Sequence, residues 1–187
     1  MNSSPAASPA RCMQFIMTLP LKLIERIIAI LLILWATFEL FATFWTLNYF
    51  ASTGFEMKLL TWDNISYFKV FKTYHLNILV PLLSIFSATY LLLQKRTGWI
   101  LTIAVCLINA ISYVIFSLNL TGTYDNLDNS TFYFVNGVIA SIYLLFLFLL
   151  LQRPFKDKYS ASNKIWTPIL IMTGIYLVDR IILIAFR

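Results

Sequence analysis

Residues 27–50 run for 24 positions with a single ionisable side chain, Glu39. A helix needs about 20 predominantly apolar residues to cross a bilayer, and the pattern recurs at 73–93, 99–120, 132–151 and 165–186. About five such stretches occupy most of a chain of 187 residues. A soluble domain carries about 25% charged residues; here the share is 12%, with 60% apolar. The fold class that follows is all-α: a polytopic transmembrane helical bundle of about five spans, with no room for a sizeable domain outside the lipid. Pro81 falls inside the second stretch, where its missing N–H leaves the carbonyl of Asn77 unpaired and tends to kink the helix.

Residues 1–10, MNSSPAASPA, are small, polar and broken by proline. They bury too little apolar surface to offset the entropy of ordering them, so a disordered tail is expected over 1–18, followed by one bundle over 19–187. Pro20 suits the first turn of a helix and Thr18 its cap. The first apolar stretch is too long for a secretory signal, whose apolar part covers about 7–15 residues. It is expected to stay in the membrane.

A net charge of +6 would point to nucleic acid in a soluble chain. In a membrane chain it reports orientation, because Lys and Arg collect on the cytoplasmic side. With the N-terminus inside, the inner segments hold Arg11, Lys22, Arg26, Lys95, Arg96, Arg153, Lys156, Lys158 and Lys164. The outer ones hold Lys58, Lys69, Lys72 and Arg187, offset by Glu56, Asp63, Asp125 and Asp128. Nine against four favours N-in and C-out. Trp45, Tyr49, Trp99 and Trp166 fall near the expected interfaces. The fifth span is the least regular, since Asp179 and Arg180 interrupt it; the alternative is a four-span bundle with its C-terminal segment on the surface. Residues 51–72 are too charged to span and too apolar to float, and part of this outer loop is expected to be an interfacial helix or lid anchored by Trp62, Tyr67, Phe68 and Phe71.

An ionisable group at the centre of a span costs about 2.5–3.5 kcal/mol on insertion scales, so each needs a partner or a purpose. By helical rise, Glu39 lies about 18 Å and Arg180 about 22 Å from the inner ends of their helices. They are expected to face each other, with Asp179, either as a binding centre or as an ion pair that locks helix register. Asn48, His75, Asn77 and Asn136 fall in the same outer half. Unpaired backbone at membrane depth is tolerated only against protein or a water-filled cavity, so the Asn77 carbonyl adds to a picture of a polar pocket under the outer loop. Asn109 reads as hydrogen-bonding glue between helices, and the spacings Gly137/Ser141 and Ser84/Ala88 as faces of close helix approach. Asn64, Asn119 and Asn129 each open an N-x-S/T triplet, a glycosylation acceptor in a suitable host.

Cys12 lies in the N-terminal tail and Cys106 in the middle of an apolar run, so they do not easily pair, and His75 is the single histidine; no metal site and no cofactor are expected. The sequence lacks GxSxG, HExxH, a phosphate loop and GxGxxG, which disfavours an enzyme. The expected role is a multi-pass membrane accessory or interaction protein, packing against partner membrane proteins or its own copies, with no nucleic-acid partner. Alternatives are a small transporter or channel component using the pocket and, more weakly, a lipid-active enzyme using His75 with an acidic residue such as Asp63.

Overall fold

The computed structural model describes residues 9–53, 67–117, 129–159 and 165–185, and every regular element among them is a helix. These are α1 (Pro9–Thr53), α2 (Tyr67–Leu92), α3 (Arg96–Ser117), α4 (Asn129–Leu150), the short α5 (Arg153–Lys158) and α6 (Trp166–Ala185). Segments Leu21–Asn48, Tyr74–Leu92, Arg96–Ile115 and Thr131–Leu150 are long and apolar enough to cross a membrane. The fifth apolar stretch forms α6, 20 residues long, or about 30 Å by helical rise. Pro168 sits in its first turn, where a lost N–H costs little.

Helix α3 is the spine. It packs against α2, α4 and α6, while α1 packs on α2. Of its apolar segment 61% is buried, against 22–33% for the other three. The cause is legible in its side chains: Thr102, Ala104, Cys106, Asn109, Ala110 and Ser112 are all buried, and small or hydroxylated residues let neighbouring helices approach closely. The outer faces carry large apolar groups instead, such as Leu34, Phe38, Phe41 and Phe44 on α1 and Phe148 on α4. In water such contiguous exposure would be a liability; against acyl chains it is the required surface.

The α2–α3 turn is a Schellman motif. Gln94 takes φ 55°, its N–H reaches the Leu91 carbonyl at 2.8 Å, and the Lys95 N–H reaches that of Tyr90 at 3.1 Å. Gly98 lies so close beneath this turn that a Cβ there would sit 2.3 Å from the Tyr90 carbonyl carbon. Only glycine fits.

One end of the bundle is closed by a clip. Glu25 of α1, 1% exposed, receives Lys158 Nζ at 2.5 Å and the Tyr159 hydroxyl at 2.7 Å. The Tyr159 ring stacks on Trp99 at 5.4 Å, and Trp99 Nε1 donates to the Leu150 carbonyl at 3.1 Å. These contacts bring the start of the apolar part of α1, the α2–α3 turn and α5 to the same end. Burial, and then donation to Glu25, push the Tyr159 phenol above its ordinary value, so this group's contribution is present below about pH 10 and lost above it.

Several expectations change. Residues 9–18 are helical and belong to α1, so Pro20 lies inside that helix and not in its first turn; the apolar run simply extends backward through Met13, Phe15, Ile16 and Met17. Residues 67–72, with Tyr67, Phe68 and Phe71, are helical and form the start of α2, so that helix begins inside the stretch read as the outer loop 51–72. Residues 54–66, with Trp62, Asp63 and Asn64, and 118–128, with Asn119, lie outside the described residues. Trp99 is buried at 1% exposure, a core residue and not an interfacial ring. Glu25 and Lys158, each beside an apolar run in the sequence, form the ion pair of the clip.

Breaking a buried ion pair on one side costs about 3–5 kcal/mol, because the remaining charge is uncompensated. Lys158→Met is therefore expected to lower thermal stability in detergent strongly, and Glu25→Gln combined with it to restore most of the loss. Equal losses in the single and double variants would show that charge is not what holds α5.

Candidate functional site

A cavity of about 260 Å³ lies between α1, α2, α3 and α6. Helix α1 presents Trp35, Phe38, Glu39, Ala42 and Thr43, the i, i+3/i+4, i+7/i+8 set of one helical face. Opposite them stand Leu76, Asn77, Val80 and Pro81 of α2, Asn109 and Tyr113 of α3, and Arg180 of α6. Pro81 is inside α2 and removes the N–H that the Asn77 carbonyl would accept. Both residues line the cavity, as backbone freed at this depth requires.

Glu39 is held from two sides through one oxygen. Trp35 Nε1 donates to Oε1 at 2.8 Å from one turn earlier, and the Tyr113 hydroxyl of α3 donates to the same atom. Trp35 Nε1 also lies 3.2 Å from the Tyr113 oxygen, and the Tyr113 ring stacks on Tyr143 of α4 at 5.9 Å. No described residue hydrogen-bonds Oε2, and Glu39 lines the cavity. Arg180 has a tyrosine of its own: its Nε donates to the Tyr176 hydroxyl at 2.9 Å, and that hydroxyl pairs with Ser112 Oγ of α3.

Asp179 turns the other way. Its Oδ2 meets His75 Nε2 at 2.9 Å, beside a second cavity of about 330 Å³ between α2 and α6, whose wall is otherwise almost wholly apolar. Leu76 and Val80 line both cavities and form the partition.

Of the seven residues singled out in the sequence, Glu39, Asn77 and Arg180 thus share one cavity, while His75 and Asp179 pair at another. Asn136 is buried but spends its amide on the Phe132 carbonyl of its own helix at 2.8 Å, and Asn48 is exposed. Neither lines either cavity, since a one-dimensional depth estimate says nothing about which way a helix face points. Sequence reasoning missed Trp35, Tyr113 and Tyr176, although a signal existed: a polar-tipped ring in mid-span needs a hydrogen-bond partner, and Trp35 and Tyr176 each stand four residues from an ionisable group. Asn109, read as glue, does bond across helices, to Ser84 Oγ at 3.5 Å and to the Val105 carbonyl of its own helix at 3.0 Å, and it also lines the cavity. Among the described residues no three His, Cys, Asp or Glu side chains gather to hold a metal. Gly137 and Ser141 face away from the bundle, beside a shallow groove on α4.

The arrangement can bind: one carboxylate, one guanidinium and amide groups surround a space walled by aromatic rings. Compared with known proteins, the chain matches no family model, no curated protein and no solved structure.

Tyr113→Phe deletes the donor that ties Glu39 to α3. A lost hydrogen bond to a charged group costs about 1.5–3 kcal/mol, and a fall of that order is expected in detergent unfolding experiments. If Trp35→Phe and Tyr113→Phe together cost no more than an exposed control substitution, such as Phe41→Leu, Glu39 is solvated by something else.

Proposed function

We propose that the chain is a five-span membrane protein, N-terminus inside and C-terminus outside, that binds a small polar solute in the outer half of the bilayer as a transporter or channel component. One observation carries this: Glu39 and Arg180 line the same cavity, each braced by its own tyrosine. Ionisable groups in a span are costly and mark substrate or ion pathways when they face a cavity. The length of α6 supports a fifth crossing. The common end shared by the start of α1, the α2–α3 turn and α5 supports the orientation, since Lys22, Arg26, Lys95, Arg96, Arg153, Lys156 and Lys158 all belong to those segments.

A second reading, an accessory protein packing against a partner or a copy of itself, draws on the outward-facing Gly137 and Ser141 of α4, whose spacing permits close helix approach. Cross-linking in native membranes that yields a dimer through position 137 or 141 favours it.

The topology predicts that a cysteine replacing Lys95 is labelled only from the inner face and one replacing Arg187 only from the outer; labelling of both from one face removes the fifth span. For function, liposomes containing the wild-type chain are expected to pass small polar solutes or protons, and Glu39→Gln or Arg180→Gln to slow that flux at least about tenfold, the scale of a lost 1.4 kcal/mol. Flux unchanged in both variants rejects the reading.

A further inference from the structure

The clip gathers positive charge from three parts of the chain. Its members are Glu25 of α1, Lys158 and Tyr159 at the end of α5, and Trp99 in the first turn of α3. A few residues from each stand exposed cations: Lys22 and Arg26 beside Glu25, Lys95 and Arg96 before Trp99, Arg153 and Lys156 before Lys158. Two carboxylates accompany them among the described residues of these segments. Glu25 is already paired with Lys158, and Asp157 meets Arg153 at 3.8 Å with both side chains exposed, a surface pair that contributes little. Lys22, Arg26, Arg96 and Lys156 make no ion pair with a described residue.

These cations also share a depth. The apolar segments begin at Leu21 in α1 and Arg96 in α3 and end at Leu150 in α4, so all six lie where hydrocarbon gives way to lipid headgroups. Helix α5 turns Phe155 into the core and leaves Arg153 and Lys156 outside, and long basic side chains lay their stems on apolar surface while the charged tips reach the headgroup layer. We propose that this end of the bundle binds the headgroup of an acidic phospholipid, approached by Lys22 and Arg26 from α1, Lys95 and Arg96 from the α2–α3 turn, and Arg153 and Lys156 from α5. A zwitterionic headgroup brings an ammonium of its own against the cations; an acidic one brings only negative charge, and basic pockets at helix ends bind such headgroups. The surface lies away from the Glu39 cavity and does not depend on what that cavity binds.

The test uses the full chain purified in nonionic detergent and follows its thermal midpoint, which rises with any ligand that binds the folded state. Dioctanoyl phosphatidylglycerol and dioctanoyl phosphatidylcholine share their tails and differ in net charge, and glycerol phosphate supplies the phosphate without tails. Phosphatidylglycerol is expected to bind at least about tenfold more tightly than phosphatidylcholine at about 0.1 M salt. That advantage is expected to fall below about twofold at about 1 M, where charges are screened beyond about 3 Å. Arg26→Gln and Lys156→Gln, both at exposed positions, are each expected to weaken phosphatidylglycerol about fivefold and to keep the midpoint without lipid. Lys72→Gln, near the start of α2 and so away from the clip, is expected to leave the affinity unchanged. Glycerol phosphate binding as tightly as phosphatidylglycerol assigns the surface to a soluble phosphate compound and overturns the lipid. Equal affinity for the two lipids, an equal loss in Lys72→Gln, or no loss in Arg26→Gln and Lys156→Gln overturns the surface itself.

Discussion

The carboxylate of Glu39 poses the solvation problem around which this bundle is arranged. It sits midway along an apolar helix, where an ionisable group costs about 2.5–3.5 kcal/mol unless the protein solvates it. The answer spans two helices: Trp35 from one turn back on α1, and Tyr113 from α3. Since α1 makes its close backbone contacts with α2, these long side chains reach across a gap, and that gap is the cavity. A shorter donor on α3 would require α1 to move in and would close the space. Solvating the charge and keeping the cavity open are thus one constraint.

The opposite end handles a buried carboxylate differently. There Glu25 is closed off by Lys158 and by Tyr159, whose ring stacks on Trp99. Opposite charge is supplied directly, and the result is a clip that fixes α5 to α1 and α3. At the Glu39 level Arg180 Nε donates to the Tyr176 hydroxyl, which pairs with Ser112, and Asp179, the neighbour of Arg180 in sequence, meets His75 on the far side of the Leu76 and Val80 partition. Consecutive residues on a helix point about 100° apart, so Asp179 and Arg180 serve different cavities although they read as one charged pair.

Most of the helices were legible because their signal is one-dimensional. Apolar runs of about 20 residues leave few alternatives, as backbone polar groups in lipid must bond within the segment. Pro81 with Asn77, and Glu39 with Arg180, were also legible, since a missing N–H and a charge at mid-span are properties of the chain. Asn48 and Asn136 misled because amides of similar depth point in different directions. Glu25 and Lys158 misled because each lies at the edge of an apolar run, where a charge ordinarily meets water; only the fold-back of α5 buries them.

Chain composition and run length alone therefore settled that this protein is a bundle of apolar helices with a few ionisable groups held inside it. Which of those groups meet was decided in three dimensions, by the rotation of each helix about its axis and by the small buried face of α3 that draws α2, α4 and α6 together. The reason is physical. Hydrophobicity is a sum along the chain and survives any rotation, whereas a hydrogen bond from Tyr113 to Glu39 demands a particular face, depth and spacing that no single segment encodes.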